Sequence, residues 1–298
     1  MALRDILVCL DPTDAGETRL KLAAEIARAH RAHLSAAYVS PEDLAGPAPY
    51  GGIGISAPEG AAGIAEGSLI AGIPVPAVPP AAAASRAAAL ADIVEERFRG
   101  AVRPLAIEGD WHLFGAGEGA ELLALLRASD LVVIGQTSPD YLVPSGFRPE
   151  DLVVTAGRPL LIVPYAGSFA AVGRRALVAW DGTREAARAV HDALALFAKA
   201  EAVTVMTVAA SEAALEESRP SLERIVRHLA RHGIAAQSEE SVRGDLAVSD
   251  VLLSRAADLD VDMLVAGGYH HSQLREALLG GVSRDLLRHM TVPVLMSH

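Results

Sequence analysis

The chain has 298 residues, about twice the length of a typical compact domain, so two domains are the first expectation. Hydrophobic residues make up 51% but aromatic residues only 4%, which predicts a core of small aliphatic side chains, as in helices packed on buried parallel strands. The single cysteine, Cys9, excludes an intramolecular disulfide framework and a multi-cysteine metal site, and the net charge of −11 argues against a broad nucleic-acid surface.

The N-terminal segment carries a charge at Arg4 and has no long apolar stretch, so it does not form a signal peptide. Residues 69–84 form the longest stretch of low charge, and their prolines exclude a regular membrane-spanning helix. We therefore expect a soluble, cytoplasmic protein that has neither a membrane nor a nucleic acid as its partner.

The N-terminal half opens with a charged residue, an apolar run and Asp-x-Thr over Arg4–Thr13, which predicts a strand followed by a turn. The amphipathic segment Glu17–Arg31 predicts a helix, and His33–Val39 predicts a second strand. A Gly-, Pro- and Ala-rich insertion then spans residues 41–80. A loop of this length is either poorly ordered or acts as a lid or binding loop. Two later strands are predicted over Ser129–Gly135 and Leu160–Val163.

The C-terminal half repeats this order of elements. Arg174–Thr183 has the same charged entry, apolar run and Asp-x-Thr that open the chain. Val261–Gly267 matches the strand Ser129–Gly135, and Val292–Met296 matches the strand that closes the first half. The other elements predicted here are helix Arg184–Ala200, strand Ala202–Val208, helix Glu212–Arg231, strand Ala236–Val242 and helix Val282–His289.

Strands and helices alternate in each half, which predicts parallel strands joined by right-handed crossovers, with helices on both faces of the sheet. The predicted fold class is α/β, with two tandem three-layer α/β/α sandwiches that each contain an open, mostly five-stranded parallel sheet. The two domains are predicted over residues 1–167 and 173–298. The connection between them is short, so we expect the halves to pack together.

Ligands of open parallel sheets bind beyond the carboxyl ends of the strands, where the strand order reverses. In the C-terminal half, Asp181 follows the first strand and Gly267 ends the fourth. The pair Gly280-Gly281 then opens the helix Val282–His289. Free backbone N–H groups and the positive end of a helix at this edge predict an anion-binding site.

Four segments of this half form a specific combination: Val178–Thr183, Ala266–Ser272, Leu279–Leu287 and Val292–Leu295. Through them the sequence resembles a tandem universal stress protein, and the resemblance spans nearly the whole chain. It implies a Rossmann-like fold of the adenine nucleotide alpha hydrolase kind and a role in the stress response. In ATP-binding members of the family, the fourth strand ends in Gly-x2-Gly-x9-Gly followed by Ser or Thr, which wraps the phosphates and the ribose. The Asp after strand one, here Asp181, contacts the adenine side.

This pattern places Gly267 and Gly280 at the first and third glycine positions, but His270 at the second and Gly281 at the hydroxyl position. An imidazole can block the close approach of a phosphate, and one lost hydrogen bond to a charged group weakens binding by roughly 10- to 150-fold. Ser283 could supply a hydroxyl but lies round the helix. The residues predicted to bind ATP or AMP are Asp181, Gly267, His270, Gly280, Gly281, Val282 and Ser283.

The N-terminal half departs further from the pattern. No glycine pair follows Gly135 at the required distance, and the last helix opens with Pro149-Glu150-Asp151, whose acids repel a phosphate. We predict no triphosphate site in this half, which would serve as a structural or recognition partner of the other.

Several candidate residues have a simpler structural interpretation. Asp11 and Asp181 either bind a ligand or act as turn and N-cap residues. Trp180 either stacks on a base or packs in the core, and Cys9 is expected to be a buried, inert thiol. His270-His271 lacks further ligands at coordinating spacing, so no metal site is predicted.

The sequence thus predicts a non-catalytic stress-response factor, because no Walker sequence, local Ser–His–Asp spacing or carboxylate pair is present. Two alternatives stay open: an interaction scaffold for an unknown protein partner, without nucleotide binding, and a weak ATPase. Family members commonly pair through their last strands. We therefore expect Leu160–Val163 and Val292–Met296 to join the halves as an intramolecular pseudo-dimer, in a chain that is itself a monomer or a homodimer.

Overall fold

The computed structural model describes residues 2–40, 69–70, 73–74, 80–115, 117–138, 147–268 and 281–298. Strands over these residues are β1 (Asp5–Leu10), β2 (His33–Val39), β3 (Leu69–Ile70), β4 (Ile73–Pro74), β5 (Trp111–Phe114), β6 (Leu131–Gly135), β7 (Leu160–Val163), β8 (Arg175–Ala179), β9 (Ala202–Ala209), β10 (Ala236–Val242), β11 (Met263–Gly267) and β12 (Val294–Ser297). Helices are α1 (Asp14–His30), α2 (Pro80–Val102), α3 (Gly119–Ala128), α4 (Pro149–Thr155), α5 (Arg184–Ala193), α6 (Glu212–Arg231), α7 (Val248–Asp258) and α8 (Gly281–His289).

Ten of the strands form one sheet in the order β10-β9-β8-β11-β12-β7-β6-β1-β2-β5. Within each half the five strands run parallel and have the same order, 3-2-1-4-5 in chain sequence. The two sheets predicted separately are therefore continuous. The α/β fold class is confirmed, and in each half the order of strands reverses between the first and the fourth strand.

The two halves meet through an antiparallel pair of strands, β12 and β7, in which Leu295 lies opposite Leu161. The pairing predicted between the closing strands is thus confirmed, although the last strand starts at Val294 rather than at Val292. Both strands are buried throughout. The register is symmetric about this central pair, so a pseudo-two-fold axis relates the halves at this point.

Helices cover the sheet on both sides because successive strand residues point to opposite faces. One core cluster contains Ile6 and Val8 of β1 together with residues of α1, α2, α5 and α6. The other contains Leu7 together with residues of α3, α4, α7 and α8. The result is the three-layer arrangement predicted from the sequence. No helix in the described part of the chain combines the length and the apolar character needed to cross a membrane.

Some predicted boundaries differ from the structure. The helix predicted over 184–200 ends at Ala193, and a separate 3-10 turn follows over Leu196–Lys199. Most of the insertion at 41–80 lies outside the described residues, so the lid, binding-loop and poorly ordered alternatives stay open.

Close packing between the halves requires a glycine at position 268. A Cβ atom built on Gly268 would lie 2.2 Å from Cγ1 of Val153 on α4, a buried side chain of the other half. Valine is stiff at χ1, so this methyl group cannot turn away freely. Gly268 therefore lets β11 and α4 approach each other.

Gly268→Ala should lower the free energy of unfolding by about 1–3 kcal/mol through overpacking, measured by urea denaturation. The cost should shrink when Val153→Ala is added, because that change removes the opposing methyl group. Gly100→Ala is the matched control, since no described heavy atom lies within 4 Å of its built Cβ on α2. It should be neutral or stabilising by up to about 1 kcal/mol. Additive costs of Gly268→Ala and Val153→Ala would contradict this packing argument.

Candidate functional site

The C-terminal half has a pocket of about 280 Å³ at the carboxyl ends of its central strands. β8 and β11 meet here, at the reversal of strand order, and α7 and α8 form the far wall. Most of the lining is apolar: Ala179, Met206, Val208, Val248, Leu252, Ala266 and Leu286. Polar groups are placed at two positions, the turn after β8 and the start of α8. This arrangement suits a ligand with an apolar part and an anionic part.

The first turn of α8 supplies the anion-binding end of the pocket. The helix begins at Gly281, one residue earlier than predicted, and Gly281, Val282 and Ser283 all line the pocket. The first N–H groups of a helix have no acceptor within the helix, and the helix dipole favours negative charge there. Val282 is exposed, whereas the Ser283 side chain is buried. Ser283 therefore does not replace the missing hydroxyl at 281 in an equivalent, open position.

Asp181 lies exposed at the rim of the pocket and also organises the local turn. Its Oδ1 accepts hydrogen bonds from the backbone N–H of Thr183 (3.0 Å) and from Thr183 Oγ1 (2.6 Å). Thr183 Oγ1 in turn accepts from the Ala186 N–H (3.2 Å) and caps α5. The interpretation of Asp181 as a turn residue is therefore confirmed for Oδ1, whereas the N-cap of α5 is Thr183. A second role in ligand binding stays a prediction.

The packing of α5 against β11 requires a glycine at position 267, independently of any ligand. A Cβ atom at this position would lie 2.6 Å from the Ala186 nitrogen and 2.9 Å from Cβ of Glu185, so only glycine lets α5 approach β11 this closely. The next amide, that of Gly268, donates to the Ser297 carbonyl at 2.8 Å and is not available to a ligand. The first turn of α8 and the first residue of α7, Val248, also line the pocket and are the helix starts in its described lining.

Trp180 packs in the core as predicted, with 9% of its surface exposed. Its indole Nε1 donates to Ser221 Oγ at 3.1 Å, and its carbonyl accepts from Thr207 Oγ1 at 2.9 Å. Since the ring also lines the pocket, it can report on a bound ligand. Glu185, a buried acid on α5 that pairs with Arg184, was not among the predicted site residues. Its only signal was an acid two residues after the capping Thr183.

Two predicted ligand-contacting residues, His270 and Gly280, lie outside the described residues, as does His271. Their contacts stay predictions. Within the described ranges, no group of three or more His, Cys, Asp or Glu side chains could hold a metal ion.

The family model of the universal stress proteins matches residues 173–298, which contain the whole of this pocket. Residues 173–298 belong to the universal stress protein family. No curated protein sequence matches the chain.

Solved structures share the fold over nearly the full length. A universal stress protein from Archaeoglobus fulgidus superposes with a TM-score of 0.65 at 12% identity, covering 98% of this chain and 97% of that one. A Pseudomonas aeruginosa protein described as a universal stress protein gives 0.57 at 18% identity, covering 99% and 93%. A functionally unknown P. aeruginosa protein gives 0.57 at 18% identity, covering 99% and 92%. At these identities the likeness shows the fold, which has the Rossmann-like arrangement of the adenine nucleotide alpha hydrolases.

The N-terminal half has a corresponding but much smaller pocket, of about 70 Å³, which a buried arginine enters. Arg19 of α1 donates through Nε to the Cys9 carbonyl (2.7 Å) and pairs with Asp11 Oδ2 (2.5 Å). A Cβ built on Gly135 would lie 2.0 Å from Arg19 Nη1. The guanidinium therefore fills the space between α1 and the end of β6. Counted from the capping threonines, the universal stress protein half has Ala189 at this position.

The charge of Arg19 affects the pKa values of Asp11 and Cys9. Burial acts to raise the pKa of Asp11, but the charge of Arg19 and hydrogen bonds from Thr13 and Arg19 outweigh it, so the pKa is lowered. Burial also raises the pKa of the Cys9 thiol to about 11, and the Arg19 charge offsets only part of this rise. The thiol is therefore protonated at neutral pH, which supports the prediction of an inert cysteine. Arg19 was missed because it looks like a break in an otherwise apolar helix face.

Arg19→Met should destabilise the protein by about 3–5 kcal/mol at pH 7, because it leaves the Asp11 carboxylate buried without its cation. Adding Asp11→Asn should recover part of this loss. The matched control is Lys21→Met, which breaks an exposed pair with Glu17 and should cost at most about 1 kcal/mol. Urea denaturation measures all three.

The same pair predicts a pH dependence. The stability that Asp11 contributes through its lowered folded pKa is present above its unfolded pKa of about 3.9, and it is lost as the pH falls through the folded value. The difference between wild type and Arg19→Met should therefore narrow in acid. A difference that stays constant from pH 7 to pH 3 would rule out the ionised carboxylate as its cause.

Proposed function

We propose that the protein is a cytoplasmic, non-catalytic stress-response factor that binds ATP or AMP in the pocket of its universal stress protein half. The observation that carries this proposal is the distribution of polar and apolar groups in the pocket lining. The first turn of α8 offers backbone amides, and Asp181 lies in the turn after β8, the strand next to β11 at the reversal of strand order. Between them the walls are apolar, as an adenine ring requires.

The amides of Gly281 and Val282 would bind the phosphate groups, helped by the helix dipole. Asp181, whose Oδ1 is held by Thr183, would accept a hydrogen bond from the ribose or the adenine amino group. Trp180 and Met206 would contact the base. His270 and Gly280 are expected to complete the phosphate side.

The chemistry of the described lining supports the proposal of a non-catalytic role. Among the described residues that line the pocket, Asp181 is the one ionisable side chain, and it lies on the side assigned to adenine. Hydrolysis of ATP requires a group that orients or activates a water next to the γ-phosphate. A weak ATPase would therefore need such a group from outside the described lining, for example Asp285, whose Oδ2 lies 3.9 Å from a Cβ built on Gly281.

A scaffold without nucleotide is the second candidate, and two observations favour it. Gly267 is needed for the packing of α5, and Asp181 is needed for the turn that caps this helix. Both residues would be present in a protein that binds no nucleotide. An unknown protein partner would then use another surface, and the pocket would be a remnant of the fold.

Calorimetric titration of the full chain with ATP and with AMP distinguishes the candidates. A Trp111→Phe variant leaves Trp180 as the single tryptophan, so that ligand binding also changes its fluorescence. We expect saturable heat and a matching fluorescence change with both nucleotides, and no phosphate release from ATP. The absence of both signals at millimolar nucleotide would leave the scaffold as the function.

Gly281→Ser should tighten ATP binding by roughly tenfold or more, because it supplies a hydroxyl at the end of the pocket where the phosphates would bind. Space is available, since the nearest described atom to a built Cβ is Asp285 Oδ2 at 3.9 Å. Serine is also well tolerated at the start of a helix.

Gly281→Ala is the matched control for this variant. It adds the same Cβ without the hydroxyl and should leave the ATP affinity within about twofold of wild type. Equal gains for serine and alanine would show that helix stabilisation, and not a hydrogen bond to phosphate, is responsible. Weaker binding of both variants would mean that ATP approaches Gly281 too closely for any side chain.

A further inference from the structure

A side chain of the N-terminal half contacts the C-terminal end of α8, the helix whose first turn is proposed to bind phosphate. Gln136, the residue after β6, is buried with 7% of its surface exposed. Its Nε2 donates to the carbonyls of Leu287 (2.9 Å) and Arg288 (3.1 Å), in the last turn of α8. Its Oε1 accepts from the Tyr165 N–H at 3.2 Å. Both polar atoms of this side chain are thus engaged. The hydrogen bond to Leu287 joins two residues that are 151 positions apart in the sequence.

We infer that Gln136 of the N-terminal half is a positioning residue for α8 and so sets the ligand affinity of the C-terminal pocket. The inference rests on the proposed nucleotide site. The last carbonyls of a helix have no intrahelical donor and need a cap. Here the other half of the chain supplies that cap to α8, the helix whose first turn is proposed to bind the phosphates.

The N-terminal half caps a helix of the C-terminal half, but the equivalent residue of the C-terminal half does not cap a helix of the N-terminal half. By the repeat, the residue equivalent to Gln136 is Gly268, and the residue equivalent to Leu287 is Val153 of α4. Gly268 has no side chain to cap α4 and instead lies directly against Val153. The N-terminal half therefore holds the C-terminal site helix by hydrogen bonds, whereas the reverse contact is one of apolar packing.

The position of Gln136 also places it between the two pockets. It lines the pocket of the N-terminal half together with Tyr165, whose amide it binds. Its amide nitrogen reaches α8, whose buried Leu286 and Leu287 pack in the same core cluster as Leu252 of α7. A change in the N-terminal pocket that displaced Gln136 would therefore act directly on α8, the helix that would bind phosphate.

The test compares variants of the full chain that remove one helix cap each. Gln136→Met keeps the length of the side chain but loses its hydrogen bonds, and Gln136→Glu keeps the acceptor for Tyr165 while losing both donors. The matched control is Arg158→Met, because Arg158 Nε donates to the Arg127 carbonyl (2.8 Å) in the last turn of α3, in the N-terminal half. Calorimetry with ATP measures affinity, and hydrogen–deuterium exchange measures protection of residues 285–290.

Both Gln136 variants should bind ATP about 3- to 10-fold more weakly and exchange faster in α8, while α7 keeps its protection. Arg158→Met should match wild type in both measurements. If wild type binds ATP and Gln136→Met binds equally well, the positioning role is overturned and the proposed function survives. If wild type does not bind ATP, the proposed function fails and the inference falls with it. Equal weakening by Arg158→Met would also overturn the specific role of Gln136.

Discussion

The antiparallel pairing of β12 with β7 determines how the rest of the molecule is arranged. Each of these strands is buried along its whole length, and each would otherwise be an exposed apolar sheet edge, the kind of surface that promotes aggregation. Their pairing produces one ten-stranded sheet from two five-stranded ones. Because α4 and α8 immediately precede these strands, the pairing also brings both helices to the junction between the halves. The helix that would bind a ligand is therefore part of the interface.

The two halves cover their central strand ends by different chemistry. In the N-terminal half a guanidinium, that of Arg19, fills the gap between helix and strand and needs Asp11 as its counterion. In the C-terminal half Ala189 takes the place of the arginine, and α5 contacts Gly267 directly. A buried ion pair contributes little net stability but is costly to break. In the N-terminal half, neither Arg19 nor Asp11 can therefore be replaced without regard to the other. The arrangement in the C-terminal half depends on small residues alone.

The sequence predicted the bounds of several elements correctly. Helix α6 was predictable because its buried residues Leu215, Leu222, Ile225 and Leu229 recur at helical spacing, and β2 because it is a short, mostly apolar run. Strand β10 also has the predicted bounds, although its sequence is mostly polar. The roles of Arg19 and Gln136 could not be predicted, since each depends on how closely distant elements approach. Gly267 illustrates the same limit for the site. The sequence indicated a phosphate-binding glycine, whereas the structure also requires it for the packing of α5.

The position of α8 matters because its first turn is the part of the described lining that is proposed to bind the phosphates. The amide of Gly268, the residue after β11, already donates to Ser297 and does not add to that site. With nine residues, α8 is about 13 Å long, and a rotation of about 5° around its last turn would move its first amides by about 1 Å. Hydrogen bonds weaken steeply over such a displacement. A donor that fixes the last turn, as Gln136 does, therefore acts on the opposite end of the helix, where a ligand would bind.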